Sequence, residues 1–166
     1  MINSDKYKKM LDGIKPKYIR AVFAADKCPV PLIGEDIKRH IRGCKSVMVC
    51  AATFGEEFDR TLRKLQLEDM AGAVIFDSMA GEELERFCDE SDSELIKGIT
   101  ATAAEGGQCR LCGLNLRFSP GYGDFPLSVN RDIVTVLNAS TRIGLCVTED
   151  YILTPQKSIT GIVGIL

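Results

Sequence analysis

The stretch RFSPGYGDFPL, residues 117–127, holds the side chains of this sequence best suited to binding a small molecule. Pro120-Gly121 has the composition of a type II turn, in which proline fixes φ at the second position and glycine takes a positive φ at the third. On either side lie Arg117, whose guanidinium can bind a carboxylate or phosphate, and Tyr122, whose ring attracts cations. The pattern predicts either a cradle for a small zwitterionic ligand or a structural turn, with Arg117 in a surface ion pair and Tyr122 in the core.

A second candidate site is the C-x-x-C pair of Cys109 and Cys112. Zinc needs four ligands, whereas the sequence has no second such pair and a single histidine, His40. Thioredoxin-like redox chemistry places the pair at a helix N-terminus, but here the pair enters a predicted strand, 110–118. We therefore expect no metal site, and a small redox or metal protein, including one with an iron–sulfur cluster shared between two chains, stays as an alternative.

Carboxylates crowd one part of the chain, as Glu82, Glu83, Glu85, Asp89 and Glu90. Such a group could bind a metal or supply an acid/base pair, but we interpret it as a solvated helix face. His40, between Arg39 and Arg42 on a predicted helix, is expected at the surface. Without a second histidine or an obvious nucleophile, hydrolysis has little support, and we expect no catalytic residue.

Composition narrows the class of protein. The 166 residues fit one domain, 1–166, and with 45% hydrophobic and 27% charged residues a folded core is expected. A net charge of -2 without a basic cluster argues against nucleic-acid binding. The apolar runs are too short to cross a membrane, and the N-terminus lacks a signal peptide, so we expect a cytoplasmic protein.

The cysteine count supports a reducing compartment. Seven cysteines, an odd number without a secretory signal, argue against a disulfide framework. Five of them are interpreted as reduced, buried thiols that pack like small hydrophobic side chains, namely Cys28, Cys44, Cys50, Cys88 and Cys146.

The order of predicted elements indicates an α+β fold. Helices are expected at 5–11, at 35–42, after Gly55, at 67–104 and at 129–137. Strands are expected at 47–53, 110–118, 144–148, 151–154 and 158–165, while 18–25 is left undecided between helix and strand. In the helix after Gly55 we place Phe58, Leu62 and Leu65 on the buried face. In 67–104 the buried face begins with Ala71, Val74, Ile75 and Met79, and a break is expected at 91–93.

Beyond these patterns, the chain resembles the activation domain of cobalamin-dependent methionine synthase, in its short, free-standing form. RFSPGY matches the family's Arg-x-x-x-Gly-Tyr motif. The likeness continues through the long helical region and covers about residues 30–165, including LIGEDIKRHIRGC (32–44), CKSVMVCAATFGEEFDRTL (44–62), RFSPGYGDFPLS (117–128) and LTPQKSITGIVGI (153–165).

The resemblance implies a fold, a ligand and a partner. The fold would be a single α+β domain with a curved antiparallel sheet flanked by helices. The protein would bind S-adenosylmethionine and support the reductive remethylation of cobalamin on a separate methionine synthase or other corrinoid protein, with electrons from a donor protein. By position in the motif, Arg117 would bind the methionine carboxylate, the backbone around Ser119 and Gly121 would line the ligand, and Tyr122 would pack beside it.

Two departures from the family bear on ligand binding. The family has a further segment after its last strand that brings a tyrosine to the ligand, and because this sequence ends at Leu166 we expect that contact to be absent. The family also places an N-terminal aspartate near the ligand's amino group, for which Asp26 and Asp36 are candidates. Without cobalamin-binding or methyl-transferring modules, the chain would be a component of a methyltransferase system, and a docking module that has lost the ligand stays as an alternative.

Overall fold

The structure, a computed structural model, describes residues 4–103, 111–112 and 117–165, without the side chains of 96–103 and 111–112. The helices are α1 Ser4–Asp12, α2 Glu35–His40, α3 Glu56–Glu68, α4 Met70–Ala103, α5 Val129–Val136 and α6 Ala139–Ile143. The strands are β1 Lys17–Ala24, β2 Ser46–Thr53, β3 Leu111–Cys112, β4 Cys146–Val147, β5 Leu153–Thr154 and β6 Ser158–Ile165.

An antiparallel sheet with the strand order β1-β2-β6-β3 organises the described residues. The inner strands β2 and β6 pair along their whole length, from Ser46 opposite Ile165 to Thr53 opposite Ser158. On the other edge of β6, Phe118 exchanges two backbone hydrogen bonds with Ile162, of 3.0 and 2.9 Å. The strands β4 and β5 form a separate two-stranded ribbon. Phe118, two residues before the Pro120-Gly121 turn, is therefore hydrogen-bonded directly to β6.

Helices cover both faces of the sheet. One core packs α2, α5 and α6 against the sheet through residues such as Ile37, Ile133 and Ile143. The other packs α1, α3 and α4 and contains Phe58 stacked on Phe76, with ring centroids 5.0 Å apart. Since β2 lies between the two cores, both of its faces need apolar side chains, which explains why 47–53 reads as an uninterrupted apolar run.

The α+β class and the antiparallel sheet flanked by helices are confirmed, and the strand predicted at 158–165 is β6. The undecided segment 18–25 is a strand up to Ala24, because β2 pairs with each residue from Lys17 to Ala24. The expected strand 144–148 is wrong in part: α6, which the patterns missed, ends at Ile143, and only Cys146–Val147 is extended. Of the strand expected at 110–118, the structure describes β3 and the bridge at Phe118.

The long helix α4 differs from its prediction in two ways. Its buried face begins with Ala73, Phe76 and Ala80. Of the predicted residues, Ile75 and Met79 are partly buried against the same core, whereas Ala71 and Val74 are exposed, so the prediction is wrong for those two. The expected break at 91–93 does not occur. The hydroxyls of Ser91 and Ser93 donate to the carbonyls of the residues four positions earlier, at 2.8 and 2.7 Å. This i−4 bonding lets serine remain inside a helix.

Within the described residues, none of the helices has the length and apolar content that a membrane crossing requires.

Candidate functional site

The turn predicted at Pro120-Gly121 is present. The N–H of Tyr122 donates to the carbonyl of Ser119 at 3.2 Å, which closes a four-residue turn. Gly121 has a φ of 94°, in the region that a type II turn requires at its third position and that favours glycine. The N–H of Gly121 also donates to the carbonyl of Phe125 at 2.8 Å. The chain is therefore held tightly from 119 to 125.

A carboxylate fastens this turn to the start of α2. Asp124 accepts hydrogen bonds from the backbone N–H groups of Glu35 and Asp36, at 2.6 and 3.0 Å. These two donors, with that of Asp36 the stronger cause, lower the pKa of Asp124 because they stabilise its charged form. Gly34 and Gly123 both have positive φ and lie against the side chains of Asp124 and Asp36, so neither position has room for a Cβ.

Ser119 fastens the other end of the turn to the sheet. Its hydroxyl donates to the carbonyl of Thr160 on β6 at 2.7 Å. The hydroxyl of Thr160 in turn donates to the Asn130 side chain at 2.6 Å, and the Asn130 amide donates to the carbonyl of Tyr151 at 3.0 Å. Thr160 and Asn130 are buried, so this chain of hydrogen bonds satisfies polar groups inside the core. The sequence analysis did not identify Thr160 or Asn130 as residues of the site. The sequence feature that could have indicated them is a polar side chain within an otherwise apolar segment.

Arg117 lies under the turn, with its side chain only 5% exposed. Its guanidinium forms ion pairs with three carboxylates of α4: Glu85 at 2.9 Å, Asp92 at 3.1 Å and Asp89 at 3.4 Å. Asp92 also accepts a hydrogen bond from the hydroxyl of Tyr18 on β1. The expectation of a surface ion pair is therefore wrong about the burial of Arg117. The interpretation of the acidic stretch as a solvated face is incomplete, because Glu85 and Asp89 neutralise this arginine.

The aliphatic part of Arg117 crosses β6 at Gly161. A Cβ added to Gly161 would lie 2.7 Å from Cδ of Arg117 and closer still to its Cγ, so a larger residue would displace the arginine. On the neighbouring strand, the Cys50 thiol donates to the Gly161 carbonyl at 3.4 Å. Burial raises the pKa of Cys50 to about 11 and that of Cys88 to about 12. Both thiols are therefore protonated near neutral pH, as expected for inert packing cysteines.

Two neighbouring hollows flank the turn and share Glu85, Ser119 and Tyr122. The first, of about 410 Å³, is also lined by His40, Asp89, Arg117 and Phe118. The second, of about 320 Å³, has Leu127 and Ile152 among its apolar side chains and Asn130 and Thr160 among its polar ones. Tyr122 is 66% exposed, so its expected position in the core is wrong.

The structure thus brings Arg117, Ser119 and Tyr122 together around the first hollow. Gly121 shapes the turn but lines neither of the two hollows. His40, expected at the surface, lines the first hollow with its ring 5.2 Å from that of Phe118. Of the aspartate candidates, Asp36 holds the turn and Asp26 lies in a 3₁₀ turn, Ala25–Lys27, and neither lines a hollow.

The remaining candidate site, the C-x-x-C pair, is not tested: Cys109 and the side chain of Cys112 lie outside the described residues. Over the ranges that are described, no three histidine, cysteine, aspartate or glutamate side chains are grouped as metal ligands.

Comparison with known proteins identifies the fold. No protein-family model matches the sequence, and no curated protein matches it. Among solved structures, a similar one is the MetH reactivation domain bound to AdoHcy, with a TM-score of 0.68 and 18% sequence identity. The match covers 96% of this chain and 63% of that chain. The chain therefore has the fold of that domain and spans less than two thirds of its length.

Proposed function

From a fold shared with the MetH reactivation domain, we propose that this protein binds S-adenosylmethionine and supports the reductive remethylation of cobalamin on a separate methionine synthase or other corrinoid protein. The observation that carries the proposal is the site itself. A turn with the Arg-x-x-x-Gly-Tyr motif places a buried guanidinium and an exposed aromatic ring beside a cavity of suitable size. The fold alone would not identify a ligand.

In this proposal the two ends of the ligand occupy different hollows. Its amino-acid end lies in the first hollow, where the ligand carboxylate takes the place of Glu85 and Asp89 on the guanidinium of Arg117. Its planar base lies in the second hollow, which Leu127 and Ile152 line with apolar surface. Tyr122 stands between them and contacts both parts.

The protein's contribution to the reaction is binding and orientation. The methyl group of a sulfonium is already activated for transfer. The cobalamin on the partner protein would supply the metal that accepts this methyl group. No side chain of this chain needs to act as acid or base. What the chain supplies is a fixed position for the methyl donor beside the partner.

Calorimetric titration with S-adenosylmethionine tests the proposal. We expect the wild-type protein to bind and Arg117→Ala to weaken binding by about 2 kcal/mol or more, which is the scale for losing a charge-assisted pair. Because Arg117 also holds α4, a second variant is needed. Tyr122→Ala removes a side chain that is 66% exposed, so it should keep the fold and still weaken binding.

The matched control is Arg86→Ala, which removes an exposed arginine of α4 paired with Glu83 and Glu90 outside the hollows. It should bind like the wild type. The proposal fails if the folded wild-type protein gives no heat at millimolar ligand, or if Arg117→Ala and Tyr122→Ala both bind with wild-type affinity.

One observation favours a second function. The guanidinium of Arg117 already pairs with three carboxylates of α4, so its charge is compensated without a ligand carboxylate. This would suit a docking module for a corrinoid protein that has lost the ligand. Sedimentation of a mixture with a corrinoid protein separates the two functions: association together with an absence of calorimetric heat supports docking alone.

A further inference from the structure

The strand β1 forms a long edge of the sheet. Among the described residues it pairs with β2 alone, whereas β2 and β6 are each paired on both sides. Its eight residues, Lys17–Ala24, pair with β2 without a bulge and include neither proline nor glycine. An edge strand of this length and regularity can accept a further strand unless charge, proline or a bulge protects it.

The hydrogen bonds of β1 indicate which of its backbone groups point away from β2. The N–H of Ala25 donates to the carbonyl of Lys45 at 2.9 Å, which continues the register that sets Ala24 opposite Ser46. Hydrogen-bonded and non-hydrogen-bonded pairs alternate along an antiparallel ladder. The backbone groups of every second residue counted back from Ala25 therefore face β2. Those of the four residues between them face outward, namely Tyr18, Arg20, Val22 and Ala24.

The side chains leave the outer edge of β1 accessible. Val22 is 45% exposed. Arg20, the charged residue in the middle of the strand, is turned onto α4, where its guanidinium donates to the carbonyl of Ser91 and lies over the ring of Tyr18. The charge of Arg20 therefore does not project from the edge, and the other charged residue, Lys17, lies at the first position of the strand.

We propose that a second copy of this chain occupies the edge, so that the two β1 strands pair antiparallel across a two-fold axis and form one continuous sheet. Such a pairing needs opposing residues whose backbone groups both point outward. With the axis at Ala21, Arg20 exchanges backbone hydrogen bonds with Val22 of the second copy, and Tyr18 lies opposite Ala24. All four outward-facing residues of each copy then have a partner.

The neighbouring registers are less favourable. With the axis at Arg20, the two copies of this arginine would lie directly opposite one another, and like charges in that position are destabilising. That register also sets Ala24 opposite Pro16, which has no N–H to donate. With the axis at Val22, Tyr18 would have no partner within the opposing strand. The residues of β1 thus favour an axis at the position between Arg20 and Val22.

Self-association through β1 is independent of the proposed function. The candidate site is joined to the sheet through Phe118 on β6, which lies on the other side of β2 from β1. The turn of each copy is therefore two strands away from the pairing edge. Binding of S-adenosylmethionine and formation of the dimer can succeed or fail separately, by calorimetry and by sedimentation.

Sedimentation velocity of the full chain over a range of concentrations measures the association. We expect the wild-type protein to form a dimer. Val22→Lys places a lysine opposite Arg20 of the second copy, twice in each dimer, and should raise the dissociation constant at least about tenfold. Val74→Lys is the matched control, since it makes the same exchange at a position on α4 that is 65% exposed. It should associate like the wild type.

Ala21→Cys tests the register. Its two copies would face one another as a non-hydrogen-bonded pair with Cα atoms about 4.5 Å apart, which is within the range of a disulfide. Under oxidation the introduced thiols should crosslink the two copies, and peptide mapping by mass spectrometry identifies the linked peptides. Ala24→Cys is the control, because its two copies would lie six residues apart along the strands, about 20 Å, and should not crosslink.

Three results would overturn the proposal. A folded wild-type chain that stays monomeric at about 1 mM, where even weak specific association is detected, has no dimer. A dimer that Val22→Lys and Val74→Lys weaken equally, with both variants folded by circular dichroism, forms through a different surface. A dimer that Ala21→Cys does not crosslink, or that Ala24→Cys crosslinks as readily, does not have its axis at Ala21.

Discussion

Arg117 has room in this protein because a glycine lies beneath it. Its side chain runs over Gly161 on β6 before reaching the carboxylates of α4. Without that gap the guanidinium could not lie between sheet and helix with only 5% of the side chain exposed. A residue without a side chain is thus part of the site.

Gly161→Ala should therefore destabilise the protein by about 1–3 kcal/mol, the cost of overpacking a filled interior. Gly81→Ala is the matched control. Nothing lies within 4 Å of a Cβ at Gly81, which is inside α4, so the helix should gain about 0.5–1 kcal/mol from alanine. Urea unfolding measures both changes. Equal stabilities of the two variants would show that the gap at Gly161 does not hold Arg117.

The sequence identified the residue types of the site but not their surroundings. The turn follows from Pro120-Gly121, since both residues restrict the backbone locally. The burial of Arg117 does not, because its partners lie 25 to 32 positions away and face it only once α4 has packed on the sheet. Local rules give no distance between segments that meet through tertiary packing.

At the scale of elements, the turn and α2 fix each other. Asp124 receives two N–H groups from the start of α2, and Asp36 returns a contact to the turn by accepting from the Asp124 N–H at 3.4 Å. A helix of six residues has little stability of its own. The turn therefore contributes to forming α2, and α2 contributes to orienting the turn.

This contact should make stability depend on pH. The pKa of Asp124 is lowered in the folded protein, so its stabilising effect is present above the unfolded value of about 3.9 and is lost as pH falls through the folded value. Asp124→Asn should therefore be less stable than the wild type at pH 7, and the difference should shrink toward zero in acid. Urea unfolding at pH 7 and near pH 2 measures this.

Asp26→Asn is the control for this comparison, because Asp26 is exposed in the 3₁₀ turn Ala25–Lys27 and is not one of the residues that join Asp124 to α2. Its stability should follow that of the wild type at both pH values. A difference between Asp124→Asn and the wild type that stays constant with pH would mean that the charge of Asp124 does not hold the turn.

Elements were predicted well where one pattern dominates. The strand β6 and the buried face of α3 follow from unbroken local patterns. The buried face of α4 is predicted only in part, because alanine, valine and glycine follow one another along its first turns, and small residues can face either way. Which of them packs is decided by Phe58 and its neighbours, on a different helix.

At the scale of the whole molecule, the position of β2 between two cores determines whether a thiol reagent can reach the cysteine on this strand. Cys50 lies on this strand with no exposed surface, and burial raises its pKa to about 11. Cys146 is exposed on β4, so its expected burial is wrong, and Cys28 and Cys44 are only partly buried. A thiol reagent can reach Cys50 only when the sheet separates from its helices.

We therefore expect iodoacetamide near pH 8 to modify Cys146 in the native protein while Cys50 stays unmodified. In urea, modification of Cys50 should follow the unfolding transition measured by circular dichroism. Peptide mapping by mass spectrometry distinguishes the two sites. Modification of Cys50 in the absence of urea, at the rate of Cys146, would show that β2 is accessible in the folded protein.

The fold class was predictable because composition and the order of helices and strands limit the number of possible architectures. The pairing order β1-β2-β6-β3 was not, since the last strand of the chain inserts beside the second, and no local pattern encodes that long-range choice. The same strand carries Gly161 and Thr160, and so the site could not be assembled from sequence patterns alone.

The exposure of Tyr122 has a practical consequence. The sequence contains four tyrosines and no tryptophan, so ultraviolet emission from this protein comes from tyrosine. The hydroxyls of Tyr7 and Tyr18 donate hydrogen bonds to aspartate side chains, and the ring of Tyr151 lies beneath the guanidinium of Arg131. Tyr122 stands at the boundary of the two hollows and is 66% exposed. The protein therefore carries an intrinsic fluorophore at its candidate site, and occupancy can be followed optically without attaching a dye.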